Sequence, residues 1–185
     1  MLLEEILDEA MTIADVSMSD AEKKGVNYEI RQKIDGQQFV ISFYPGMCYT
    51  ASRAGADRKK SWAVEFRTSI KTGLRKTDNS NDPEAFKLQN FNKGLEFKLL
   101  PVVLGYMADF LRSKHPDALM FSADKSEKSR VSLYNKLIKR YQSKLESLGY
   151  KLVDDIADMD EFGSSAPSSL AAFVLIRKDL KNETD

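Results

Sequence analysis

Ala118-Leu-Met-Phe-Ser-Ala123, followed by Asp124, then by Ser129-Arg-Val-Ser-Leu-Tyr-Asn-Lys-Leu137 and Leu148-Gly-Tyr150, is the stretch on which the fold turns. Its first six residues are a brief apolar run, as expected of a strand covered on both faces. Asp124 with Glu127 three residues on is a capping-box-like pair. Val131, Tyr134, Ile138, Tyr141, Leu145 and Leu148 then alternate spacings of three and four, which is an amphipathic helical stripe. Gly149 stands in the favoured C′ position. The segment therefore predicts a buried strand feeding a long helix.

Downstream, Tyr150 to Ile156 and Ala171 to Lys178 read as strands, joined by an acidic loop containing Gly, Ser and Pro. Upstream, Leu95 to Lys114 is apolar nearly all round, which predicts a helix mostly inside the protein, closed by Lys114-His-Pro116. Pro101 leaves two starts open. A helix from Leu95 carries the proline inside at a cost of about 3 kcal/mol, whereas one from Leu100 makes it a comfortable first-turn residue. Only the first places Gly94 at the helix mouth.

Before this the grammar is antiparallel. Val26 to Ile34 and Gln37 to Tyr44 flank Asp35-Gly36, the pair that best supports a type I′ hairpin. Ser61 to Ile70 alternates Trp62, Val64 and Phe66 with Ala63, Glu65 and Arg67, as a half-buried strand does. Thr77 to Pro83 is a polar turn cluster, and Ala85 to Phe91 reads as a fourth strand. Leu2, Leu3, Ile6, Leu7, Ala10 and Ile13 give a short amphipathic helix, and Ser17 to Gly25 is a polar, helix-breaking run. The expected fold is α/β with a mixed, α+β-like sheet: an antiparallel meander, then helix-strand-helix-strand-strand. It is read as one domain over 1–185, with the N-terminal helix in 1–20, the meander in 26–91 and the α/β unit in 95–178.

The 28 basic and 28 acidic residues of the 185 cancel. No global field draws the chain to nucleic acid or an anionic membrane, and any such binding has to be local. Arg53, Arg58, Lys59, Lys60, Arg67, Lys71, Arg75 and Lys76 make the middle of the chain the candidate polyanion surface. A single cysteine, Cys48, excludes an intramolecular disulfide framework and fits a reducing compartment. The acidic amphipathic start differs from a signal peptide, and no segment approaches the roughly 20 apolar residues of a membrane span. The expected location is cytoplasmic, and no membrane partner is expected.

The order of elements is similar to that of GNAT-type N-acetyltransferases. Gln89-Asn-Phe-Asn-Lys-Gly94 resembles that family's acyl-CoA loop, Gln/Arg-x-x-Gly-x-Gly/Ala, with Asn92 where the first glycine belongs. Asn tolerates left-handed backbone better than most residues, so the exchange is gentle. Ser129 to Leu137 with Leu148-Gly-Tyr150 resembles the family's late helix carrying Leu-Tyr ahead of a terminal Gly-Phe. Phe121-Ser-Ala123 with Ser129 to Tyr134 also resembles small bacteriophage-encoded acetyltransferase-like proteins, whose setting would be the host cytoplasm. The first 60 residues depart from the family, with a hairpin where it has two acceptor-side helices.

The resemblance implies acetyl-CoA as cofactor and an amine of unknown size as acceptor. Gln89, Asn92, Lys93 and Gly94 would cradle the pyrophosphate at a helix start, and Lys125, Lys128 and Arg130 would reach the adenosine 3′-phosphate. The cofactor would splay the sheet between Ala85–Phe91 and Ala118–Ala123. Tyr134 would protonate the leaving thiolate, and Glu65 would serve as general base. Each also has a structural reading: Tyr134 lies in the apolar stripe of its helix, and Glu65 alternates with apolar residues like the solvent face of a strand. His115, the only histidine, suits a helix C-terminus and lacks metal or triad partners at useful spacing. The other function class is a non-enzymatic protein on the same scaffold that binds a host protein or enters a virion assembly, with Trp62, Phe66 and the basic middle as interface anchors.

Overall fold

The computed structural model describes residues 13–46, 51–52, 54–68, 95–124, 128–153, 157–158 and 170–180. Its elements are β1 (Glu22–Lys24), β2 (Asn27–Ile34), β3 (Gln37–Pro45), β4 (Ser61–Thr68), α1 (Glu96–Lys114), β5 (Ala118–Asp124), α2 (Lys128–Ser147), β6 (Tyr150–Leu152), β7 (Ala157–Asp158) and β8 (Leu170–Arg177). The strands form one mixed sheet in the order β1-β2-β3-β4-β5-β8-β6, with β7 also paired to β8. The fold is α/β. Among the described residues no helix is long and apolar enough to cross a membrane. The chain divides into two compact units, Met1–Ser42 with Phe66–Phe110 and Phe43–Glu65 with Leu111–Asp185.

In the first unit, Asp35 and Gly36 both take positive φ, 49° and 82°, as the type I′ turn between β2 and β3 requires. Lys98 clamps the turn to α1 through Asp35 at 2.5 Å. Phe39, Val40 and Ile41 are buried in succession, so both faces of β3 are covered. The run Ser17 to Gly25 is not simply a break. Its Gly25-Val26 pair forms a second two-residue turn, Gly25 at φ 63°, and β1 pairs antiparallel with β2 from Glu22↔Glu29 to Lys24↔Asn27.

α1 starts at Glu96 and carries Pro101 inside, so the earlier of the two possible starts holds. The backbone that enters this unit is stapled along one side of α1. Ala14 donates its N–H to the Pro101 carbonyl at 3.1 Å, and the Met18 N–H reaches Asp109 Oδ2 at 2.8 Å. Between these, Gly105 lies against Ala14 and Val16. Pro101, Gly105 and Asp109 recur every four residues and therefore share one helix face. Tyr106 is buried, and its hydroxyl is pushed up first by that burial and then by the nearby Asp20 carboxylate. Of the expected N-terminal helix, residues 1–12 lie outside the described residues. From Ile13 the backbone is irregular as far as a 3-10 turn, Met18–Asp20.

In the second unit β5 is central. It pairs antiparallel with β8 along its whole length, from Ala118↔Ile176 to Asp124↔Leu170, and parallel with β4 at Ser61↔Ala118, Trp62↔Leu119 and Ala63↔Met120. One face of this sheet is small and aliphatic: Ala51, Ala56, Ala118, Met120, Val174 and Ile176, with Ala54, Ala63, Val153 and Leu180 packed on them. The other face carries Phe121 and Phe173, stacked at 4.9 Å, under Tyr134 of α2. α2 ends as the sequence predicts, with Gly149 at φ 88°.

Several expectations change. Asp124 is a strand residue paired with Leu170 rather than a helix cap, and Glu127 lies outside the described residues. The strand expected over Tyr150 to Ile156 stops at Leu152, and the acidic loop contributes β7, paired at Ala157↔Ala172 and Asp158↔Ala171. Ala85–Phe91, one side of the expected splay, lies outside the described residues; beside β5, over Ala118 to Met120, the paired strand is β4.

The starts of β4 and β5 and the end of β8 are tied through Asp117, 3% exposed. Its N–H donates to the Lys60 carbonyl, its carbonyl accepts the Arg177 N–H, and its Oδ2 accepts the Asp57 N–H at 2.9 Å. Its Oδ1 lies 3.1 Å from Arg177 Nη1, a close ion contact rather than an aligned hydrogen bond. Tyr150 adds a buried hydroxyl donating to the Pro116 carbonyl at 2.7 Å.

Candidate functional site

The place in the second unit where chemistry and topology meet is the point at which the β4–β5 pairing ends. Parallel strands that stay hydrogen-bonded leave no room for a ligand between them. Among the described residues the β4–β5 register ends at Ala63↔Met120, while β5 keeps its ladder to β8 as far as Asp124. Val64 and Glu65 on one strand and Phe121 to Asp124 on the other follow this end point.

Alternation along the strands assigns the side chains to faces. Glu65 shares the face of Ala63 and Met120. Phe121, one residue beyond Met120, belongs to the opposite face, and there it meets Tyr134 edge-on at 5.7 Å. Tyr134 is equally edge-on to Phe173 at 5.9 Å and only 4% exposed. Its ring is thus a packed member of an aromatic trio that borders the end of the β4–β5 pairing. Glu65 and Tyr134 lie on opposite faces of the sheet.

Glu65 is half-buried, and so are Trp62 and Phe66. The solvent-face reading of β4 is therefore corrected: from Ser61 to Arg67 no residue is exposed, and Arg67, a cation, is buried. A strand covered on both faces does not offer Trp62 and Phe66 as free interface anchors. Glu65 acts electrically on Tyr44 of β3, whose hydroxyl is pushed up to about 12, first by burial and then by the Glu65 charge. Nothing in the alternation of β4 marks Arg67 as buried, because period two alone cannot say whether the second face is covered.

Lys128 and Arg130 open α2. Gln89, Asn92, Lys93 and Gly94 lie outside the described residues, as do Arg53, Lys71, Arg75 and Lys76. Leu95 begins the turn into α1, its carbonyl accepting the N–H groups of Lys98 and Leu99, so the loop sequence ends one residue before the helix start. His115 has φ 47° and ends α1, its carbonyl accepting from Arg177 Nη1 at 3.2 Å. Among the described residues no three His, Cys, Asp or Glu side chains gather as a metal site would need. Comparison with protein-family models, with curated proteins and with solved structures gives no match.

Proposed function

We propose that the chain is a GNAT-type N-acyltransferase that takes acetyl-CoA and an amine acceptor. The observation that carries this reading is the early end of the parallel β4–β5 pairing; α1, which starts one residue beyond the Gln89–Gly94 loop sequence, would supply that loop with a helix start. Such a parting of strands gives a thioester a slot, and a helix N-terminus gives the pyrophosphate backbone donors and a favourable dipole. Catalysis then needs alignment of amine and thioester carbon more than covalent machinery.

The opposite placement of Glu65 and Tyr134 suits this chemistry. An amine entering from the Glu65 face would lose its proton there, directly or through water. On the opposite face the Tyr134 phenol would supply the proton that a departing thiolate needs. Asn92, Lys93 and Gly94 would hold the cofactor phosphates, and Lys128 and Arg130 the adenosine end.

Thermal melting of the full chain with and without acetyl-CoA tests the reading, with dephospho and desulfo analogues as controls. A ligand at 100 times its Kd stabilises by about 2.7 kcal/mol, which raises Tm by roughly 5–10 °C in a chain of this size. An unmoved transition at millimolar acetyl-CoA overturns it. The packing of Tyr134 against Phe121 and Phe173 favours, as second reading, a scaffold without turnover that binds a host or virion protein.

A further inference from the structure

We infer that the exposed face of α2 is a binding surface for the phosphate backbone of nucleic acid. Lys136, Lys139, Arg140 and Lys144 are all exposed, and their spacing of three, four and eight from Lys136 sets them in one stripe about 12 Å long. Lys136, Lys139 and Lys144 have no acidic partner among the described residues. The helix holds a single acid, Glu146, which is engaged by Gln142 at 2.9 Å and approached by Lys178 at 3.9 Å. Lys178 also donates to the Glu146 carbonyl and so extends the cationic surface past the helix end.

This arrangement works against the helix itself. Like charges four residues apart, as in Lys136–Arg140–Lys144, repel, and the first turn contains no acid to favour the helix dipole. A stripe that its own element does not need points outward to a partner. The chemistry of that partner follows from what accompanies the cations. The apolar side chains Tyr134, Leu137, Ile138 and Leu145 are buried, and among the described side chains the other exposed α2 residues are Ser132, Gln142, Ser143 and Ser147. Among the α2 side chains described, no exposed apolar group is available to enter a lipid interface or to form the desolvated centre of a protein contact, where lysine is depleted. Lysines at near-regular spacing fit a row of phosphates, with sequence-independent contacts.

The test is fluorescence anisotropy of the full chain titrated into one labelled oligonucleotide, single-stranded and as duplex, across a salt series. Duplex binding is expected at ~50 mM salt with a slope of log K against log salt of roughly −3 to −4, the value for about four cations. The variant Lys136→Gln/Lys139→Gln/Lys144→Gln should bind at least about ten-fold more weakly and lose about three from the slope, while Lys23→Gln/Lys33→Gln leaves both unchanged. The triple variant should melt no lower than the parent. If it does, the single variants Lys136→Gln and Lys144→Gln must each remove about one from the slope. Absence of DNA binding at low salt overturns the proposal. So does an unchanged slope in the variants, or binding to phosphatidylserine vesicles without binding to DNA.

Discussion

Gly105 and Ala14 touch so closely that no side chain fits between them: a methyl group on Gly105 would stand well inside van der Waals contact distance of the Ala14 carbonyl oxygen and 2.7 Å from Val16 Cγ2. In an exposed helix, Gly→Ala gains about 1 kcal/mol of propensity. Here the obstacle is backbone already stapled on either side, by Pro101 and by Asp109, and overpacking costs about 1–3 kcal/mol. Gly105→Ala is therefore expected to lower stability in urea titrations, against the propensity scale. A more stable variant would show that the segment yields freely.

His115 occupies left-handed backbone that costs a β-carbon roughly 1 kcal/mol. His115→Gly should raise stability by about 0.5–1 kcal/mol, or Tm by a few degrees. Its carbonyl, which receives Arg177, is untouched by the exchange. Calorimetry distinguishes this from a loss, which would mean that the imidazole contributes more than the strain removes.

Asp117→Ala removes the acceptor of the Asp57 N–H and the counter-charge of Arg177 at once. The expected loss is about 2–4 kcal/mol, moderated because the Arg177 side chain retains 27% exposure and a second partner in Asp179 at 2.6 Å. Asp117→Asn keeps an acceptor for Asp57 and should lose less. Equal losses for the two, measured by chemical denaturation, would show that the Asp57 bond is not what matters.

Alkaline pH should unfold the protein. Burial, the larger cause in each case, pushes the Tyr44 and Tyr150 hydroxyls from 10.0 up to about 12. A phenol whose folded pKa is raised is held neutral by the fold, so its contribution is complete below pH 10.0 and falls away as pH climbs towards about 12. Tm should be insensitive to these groups below pH 10.0 and drop above it. Tyr150→Phe should shallow that drop, while costing about 1 kcal/mol at neutral pH from the lost bond to the Pro116 carbonyl.

Tyr134 separates packing from chemistry. Tyr134→Ala empties the space beside Phe121 and Phe173 and should cost about 3–5 kcal/mol. Tyr134→Phe keeps the ring between Phe121 and Phe173 and should cost far less than Tyr134→Ala. If the phenol protonates the departing thiolate, acyl transfer by that variant falls by about 10²–10⁴-fold. Unaltered turnover at unaltered stability would remove Tyr134 from the reaction.

The sequence announces those parts of this fold that rest on local rules. Asp35-Gly36, the 95–114 helix and the Tyr134 stripe each carry their own turn chemistry or period, and each is found as expected. β1 was not read: its three charged residues, Glu22 to Lys24, lie in a run that looks like a polar break. What could not be read were long-range relations: β4 beside β5, the cover over both faces of β4, and the burial of Arg67. The α2 cations were likewise legible singly. Their common face emerges only once Tyr134, Leu137, Ile138 and Leu145 are seen to point inward, because the charge total of the chain conceals them.

β8 is the last of the described strands, yet it lies between β5 and β6 rather than at an edge. A nascent chain that has emerged only through β7 therefore has β5, β6 and β7 waiting for a partner not yet made. Their ladders close only when Leu170–Arg177 inserts among them, a pairing of high contact order that forms late and slowly. During synthesis this interval leaves unpaired strand edges open to aggregation, and a ribosome stall before Leu170 would yield a chain unable to assemble its second unit.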